Sequence, residues 1–393
     1  MSTELDAVVA GHLCLDMIPE IPPQPAGLAG LLVPGKLNAI GPAMLSTGGP
    51  VSNTGVVLHK LGVRTQLMGK VGDDLFGMAI RRVIDSHGPG LADGMIVDPA
   101  ATSSYTVVVN VPGVDRMFLH HTGANDTFTA DDVRYDVVAR GRLFHFGYPP
   151  LMARMYGDDG SEVAELFRRA KATGVTTSLD MALPDPASPA GRADWPAIIR
   201  KALPYVDVFL PSLDEMLFML RRPTYERLLA EHAGDLLAAA TPDLLADLTG
   251  EMLALGAKIA GLKLGQRGFY LRTAGRAALA AVGRAAPADP DAWADRQFWA
   301  PCFRVAVVGT TGAGDSTIAG FLAGLLRGLS PEETLAVATA VGACNVEAAD
   351  ALGGIRPWAE TLDRMAAGWP RHEMSVDAPG WEHAAAHGVW TAR

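Results

Sequence analysis

What most constrains this chain is a rhythm in which short β-branched or apolar runs alternate with stretches at helical spacing. "DAVVAG", "TQLMGKVG", "RLFHFG", "VTTSLDM", "VDVFLP" and "KIAGLKLG" all read as buried strands, and most are flanked by about ten or more residues of helical pattern. That order predicts an α/β fold with a parallel sheet covered by helices on both faces. One segment breaks the rhythm. "SSYTVVVNVPGVDRMFLHH", residues 103–121, sets two strand-like runs around a Pro-Gly turn and predicts an antiparallel hairpin, a flap beside the main sheet. The Pro-rich stretch 19–45 is expected to extend it. Residues 222–256 and 275–300 read as surface insertions, and the pattern after about residue 366 is weak.

Composition narrows the partners. The 43 acidic and 33 basic residues give a formal charge of -10 without a concentrated basic run, which argues against nucleic acid or an anionic membrane as a partner. Small polar ligands remain open. Cys14, Cys302 and Cys344 are far apart, odd in number and without a CxxC pair, so neither a zinc ribbon nor a disulfide scaffold is indicated. The N-terminal stretch lacks a basic region followed by an apolar one, and no run reaches the roughly 18 apolar residues of a membrane span. A soluble, cytoplasmic protein is expected.

The stretch "VVGTTGAGDSTIAGFLAGLL", residues 307–326, carries the chemistry. "FRVAVVG" ahead of it reads as a strand. After it, Ile318, Phe321, Leu322, Leu325, Leu326 and Leu329 form one apolar helical stripe, with small residues Ala319, Gly320, Ala323 and Gly324 on another face suited to close packing. Gly312, Ala313 and Gly314 therefore fall where a strand turns into a helix, and their amides and the positive helix end favour an anion. Asp315 follows in the first turn. A carboxylate beside an anion hole suits a base that takes a proton from a hydroxyl attacking a phosphoryl group. Locally, a glycine turn with an aspartate cap is an equal reading.

"TTGAGDSTIAG" resembles the second signature of the ribokinase-like (PfkB) carbohydrate kinase family. "STGGPVSNTGVVLHKLGVRTQLMGKVGDDLFG", residues 46–77, is similar to that family's first signature, and "VVAGHLCLDMI" to its opening strand. The resemblance spans roughly residues 6–360. It implies a ribokinase-like three-layer fold with a mostly parallel central sheet and a small β lid, a kinase domain over 1–365, lid segments near 12–45 and 100–125, and a C-terminal extension at 366–393. It implies Asp315 as general base, the Gly312, Ala313 and Gly314 amides as anion hole, and Asp16, Gly48, Gly49 and Asn53 as substrate contacts. Read alone, Asn53 is also a helix cap and Asp16 a loop residue. "GLKLGQRGFYL" looks like the family's nucleotide turn and brings in Lys263, Gly265 and Gly268; Thr311 and Gly342 join them, and without that context the glycines are an ordinary β-turn. The small residues Ala338, Thr339 and Gly342, on a helix opened by Ser330, Pro331 and Glu333, leave space for adenine or serve core packing. ATP and Mg2+ are the implied cofactors, with Glu215 as the metal-organising residue.

Several positions depart from the family pattern. Gly309 stands where an aspartate is usual, which puts a monovalent cation in doubt. Ser212 replaces the asparagine of the Asn-x-x-Glu motif, Pro50 follows the glycine pair, and "LDMALPD" keeps Asp180 without the asparagine and arginine of relatives that take acidic sugars. Asp115, Arg116, His120 and His121 on the hairpin are candidate sugar contacts or ordinary solvated residues. Asp73 and Asp74 read as the start of a helix carrying Phe76 and Ile80. The expectation is an ATP-dependent kinase for a hydroxyl of a small sugar or polyol. A nucleoside kinase of the same fold and a catalytically weak sugar-binding sensor are the alternatives, and exposed hairpin edges suit a homodimer through the lid.

Overall fold

The computed structural model describes residues 5–23, 27–112 and 117–393. Asp115 and Arg116 lie outside them. Fifteen strands are present among the described residues: β1 Ala7–Gly11, β2 Cys14–Pro19, β3 Ala43–Gly48, β4 Thr65–Gly72, β5 Met95–Asp98, β6 Tyr105–Val109, β7 Met117–His121, β8 Leu143–Gly147, β9 Thr176–Asp180, β10 Val208–Phe209, β11 Ile259–Lys263, β12 Phe269–Thr273, β13 Gln297–Ala300, β14 Glu382–Ala384 and β15 Val389–Ala392. Eleven of them form one sheet in the order β14-β15-β13-β12-β11-β10-β9-β8-β1-β4-β5. From β5 to β11 every pairing is parallel. Beyond β11 the sheet continues as an antiparallel meander through β12, β13, β15 and β14.

The central parallel strands β1, β8 and β9 are buried along their whole length because helices cover both faces. In β1, Val8 and Ala10 join one core while Ala7 and Val9 join the other, the two-residue alternation of a strand buried on both sides. The helix Ala313–Leu326 buries Ile318, Phe321 and Leu322 completely. Its small residues do pack closely: a side chain at Gly320 would stand 2.9 Å from Ala338 of the helix Pro331–Asn345. Ser330 and Glu333 cap that second helix reciprocally, with Pro331 at its first position. Asp74 caps the helix Leu75–His87 by accepting from the Gly77 amide.

The remaining strands β3-β2-β6-β7 form the small sheet, with the expected hairpin β6–β7 as one half. Register sorts its two faces. Ser46, Asp16, Thr106 and His120 lie side by side in one row, and Leu45, Met17, Val107 and Leu119 in the next. Adjacent rows point to opposite faces.

Three expectations need correction. Residues 303–309 are not a strand; only Phe303 makes an isolated bridge, to Arg371. The weakly patterned tail instead supplies sheet strands, β15 pairing with β13 and β14 with β15. The stretches 222–256 and 275–300 are superficial only in part: Arg222–Glu231 buries Leu228 alone, but Leu245, Leu248, Met252, Trp293 and Phe298 are all buried in the two cores.

Candidate active site

The chemistry-bearing residues gather at the carboxyl ends of neighbouring parallel strands. Tyr148 follows β8, Asp180 ends β9, Ser212 and Glu215 follow β10, and Lys263 ends β11. The crevice outside the carboxyl edge of an open α/β sheet is where such folds bind ligands.

Asp315 sits in the first turn of the helix Ala313–Leu326 and is buried. The helix begins at Gly312, whose φ of 74° is left-handed; a side chain there would also stand 2.7 Å from Ala351 Cβ. Asp315 Oδ2 accepts from Asn53 Nδ2 at 3.0 Å and from the Tyr148 hydroxyl at 2.8 Å, and Oδ1 accepts from Thr54 Oγ1 at 3.3 Å. Burial pushes its carboxyl above the ordinary range; the Lys263 ammonium and these three hydrogen bonds pull the other way. Asn53 is thus a partner of the candidate base. It is not a helix cap: Gly49 occupies that position before the helix Pro50–Lys60, with Pro50 in its first turn. Tyr148 holds φ at 64°, unusual for a residue with a side chain, and this strained backbone delivers its hydroxyl to Asp315.

Lys263 Nζ donates to Asp180 Oδ1 at 2.5 Å. The same ammonium lies 3.6 Å from where a Cβ on Gly314 would stand, so it borders the Gly312, Ala313 and Gly314 turn. Glu215 and Asp315 also bear on it and hold its protonated form. Burial raises all three carboxyls, and Lys263 opposes each rise. With all three ionised, one ammonium would leave negative charge uncompensated, which is costly in a low-dielectric site. Asp180 Oδ2 is buried without a hydrogen-bond partner among the described residues. Ser212, in place of the expected asparagine, caps the helix Leu213–Leu220: its Oγ accepts from the Glu215 amide at 3.2 Å while its own amide donates to Glu215 Oε2 at 2.7 Å.

Three of the expected substrate contacts, Asp16, Gly48 and Gly49, come together where β1 crosses into β2, while Asn53 stands at Asp315. Asp16 is buried on the inner row of the small sheet, and burial raises its carboxyl. Gly48 packs against this neighbour: a Cβ there would lie 2.5 Å from Asp16 Oδ2 and would require that carboxyl to shift. Gly49 likewise faces His12. Asn125 clamps the link between the sheets, accepting from the Leu13 amide and donating to its carbonyl. His12 and His120 face each other across this corner at 3.2 Å. His121 points to the other side of β7 and pairs with Thr102.

On the far side of Gly314 lies a cavity of about 560 Å³. Lys263, Gly265, Gly268 and Gly342 line it, as do Thr339, Ala313 and Gly314. Thr310 lines it and Thr311 does not. Ala338 packs in the core instead. Phe303, Val305 and Val307 make an apolar wall, which explains why the run 303–309 is rich in valine without being a strand, and His372 of the tail closes part of the rim. The departure at Gly309 has a steric cause: any Cβ would lie 2.8 Å from the Ala348 carbonyl oxygen, while the Gly309 amide donates to Val346.

Thr54, Tyr148 and His12 were not legible as site residues. Thr54 adjoins Asn53 in the first signature, a usable signal; Tyr148 and His12 meet their partners only through the fold.

The chain matches the profile of the pfkB family carbohydrate kinase over residues 30–356. The fructokinase of Solanum tuberosum is 26% identical over 228 residues, 56% of this chain and 65% of that protein. The 2-dehydro-3-deoxygluconokinase of Bacillus subtilis (strain 168) is 25% identical over 337 residues, 82% of this chain and 87% of that protein. The chain spans 58% to 65% of the length of the Oryza sativa fructokinase-2 and the Solanum fructokinase it matches. Among solved structures, Arabidopsis thaliana ribokinase complexed with ribose and ATP aligns with a TM-score of 0.67 at 18% identity, covering 91% of this chain and 98% of that one. Fructokinase with bound ATP from Xylella fastidiosa aligns at 0.65 and 20% identity, covering 92% and 98%. At such identities the structures speak for the fold, a ribokinase-like one. With the profile covering most of its length, the chain belongs to the pfkB family of carbohydrate kinases.

Proposed function

We propose that this protein is an ATP-dependent phosphotransferase that phosphorylates a hydroxyl of a small neutral sugar or polyol, with Asp315 as general base. The observation that carries this reading is the placement of Asp315: a buried carboxylate directly after the Gly312, Ala313 and Gly314 turn, oriented by Asn53, Thr54 and Tyr148. The acceptor oxygen forms a bond to the γ-phosphorus as the bond to the ADP oxygen breaks, and the hydroxyl proton passes to Asp315. Oδ2 is engaged by two donors, so Oδ1, with only the longer Thr54 contact among them, is the better placed to receive it. Burial then favours the protonated product, while the Lys263 ammonium works against that rise before the proton arrives.

Lys263 serves as a fixed cation beside the turn, where it balances charge on the transferring group. The cavity lined by Gly265, Gly268, Thr339 and Gly342 takes the nucleotide, its apolar wall suiting a base. The hard oxygen donors Asp180 and Glu215, with the unpartnered Asp180 Oδ2 and the uncompensated charge around it, fit magnesium. Magnesium bound there offsets nucleotide phosphate charge. A substrate carboxylate would meet Asp16, and no arginine follows Asp180 in the run 181–184, so neutral sugars such as those named for fructokinase and ribokinase relatives are favoured over 2-dehydro-3-deoxygluconate.

ADP release over a panel of fructose, ribose, 2-dehydro-3-deoxygluconate and nucleosides tests this reading. Release stimulated by a neutral sugar is expected, and Asp315→Asn should lower turnover roughly 10²–10⁴-fold with binding retained. Release with nucleosides alone would move the assignment to a nucleoside kinase. Sugar binding without any release would leave a sensor.

A further inference from the structure

His12, Cys14 and His120 converge at the corner where the small sheet meets the central one. His12 lies in the link between β1 and β2, Cys14 opens β2, and His120 stands on β7. Their ligand atoms all lie within 4.8 Å of one another, and the two Nε2 atoms are 3.2 Å apart. Around a tetrahedral ion with nitrogen at about 2.0–2.1 Å and sulfur at about 2.3 Å, neighbouring ligand atoms stand roughly 3.4–3.6 Å apart. Small side-chain shifts reach that spacing. Thr106 Oγ1 already holds His120 Nδ1 at 3.0 Å, the kind of outer contact that fixes a ligating imidazole and leaves its other nitrogen for the ion. In its absence one imidazole must donate to the other, whereas an ion takes a lone pair from each. His12 and Cys14 are buried and His120 is exposed, so the cluster has a route in from solvent.

We propose that His12, Cys14 and His120 form a binding site for a zinc-like divalent cation that pins the small sheet to the central one, its fourth position directed toward Asp16. Two imidazoles and a thiolate select a borderline-soft ion over magnesium. Asp16 Oδ1 lies 3.3 Å from Cys14 Sγ, close enough to complete the coordination. Binding releases the Cys14 proton to solvent. An ion here engages Asp16, the residue proposed to hold a substrate hydroxyl, and so competes with substrate.

Cobalt titration of the untagged full-length protein, followed by absorbance, tests the site without requiring turnover, so its result stands apart from the kinase reading. One Co2+ per chain is expected, with a sulfur-to-cobalt charge-transfer band that Zn2+ displaces and excess Mg2+ leaves in place. Cys14→Ser should abolish the band. His120→Ala, at an exposed position where folding is not at stake, should weaken binding by more than the roughly 10–100-fold that loss of an outer contact costs, and Thr106→Val by that amount. Absence of the band, its survival in Cys14→Ser, or unchanged affinity in His120→Ala would overturn the proposal. If Cys14→Ser does not fold, His120→Ala decides.

Discussion

Lys263 sets the electrostatics of the cleft because it is the cation shared by Asp180, Glu215 and Asp315. Lys263→Met removes the largest of the influences that lower the Asp315 carboxyl against its burial, so its pKa rises further. Since the base must be ionised to accept a proton, the acid limb of the turnover profile is expected to move to higher pH, with Lys263→Arg restoring much of it. Breaking a buried pair by removing one partner costs about 3–5 kcal/mol; adding Asp180→Asn should recover part of that loss in a urea melt. An unmoved acid limb in the folded variant would detach Lys263 from the base. At this scale the sequence was informative where chemistry and local motif coincide, as at Asp315, Lys263 and Glu215. It was silent on Tyr148, which lies 167 positions from Asp315 and reaches it only because β8 ends beside that helix.

Among the elements, the helix Leu213–Leu220 shows how a departure from a family motif is absorbed. Ser212 gives up reach toward a ligand and becomes the cap that fixes Glu215. Ser212→Ala should lower stability by about 0.5–2 kcal/mol, measured by urea unfolding, while Ser212→Asn, which also caps, should be close to neutral. Equal losses for both would remove the capping role. Of the parallel strands, β1, β4, β8, β9, β10 and β11 were legible and the edge strand β5 was not; burial on both faces makes runs such as those of β1 and β8 mostly apolar. The run 303–309 carries the same composition for another reason. Its Val307 lines the cavity and is 63% exposed, and composition alone cannot distinguish a pocket rim from a buried strand. Conversely β14 and β15 hide in the sequence because the edge of the sheet tolerates polar residues such as Glu382, His383 and Thr391.

For the molecule as a whole, the outer face of the small sheet stands out. Leu45 and Leu119 are 49% and 60% exposed, in one row with Met17 and Val107. Such an apolar row on an exposed sheet favours pairing with a second copy. A homodimer through this face is expected in sedimentation, and Leu119→Asp should shift it toward monomer; a monomeric wild type at micromolar concentration would refute it. No described helix is long and apolar enough to cross a membrane. The order of strands also fixes a length. From β1, which leads into Asp16, to β11, which ends at Lys263, the sheet steps through β8, β9 and β10, and at about 4.8 Å per step this spans roughly 19 Å. The sheet thus acts as a ruler. On the proposed assignment, an acceptor alcohol at one mark and a triphosphate at the other would meet at their reactive ends, and strand count as well as side chains would set the reach of the substrate.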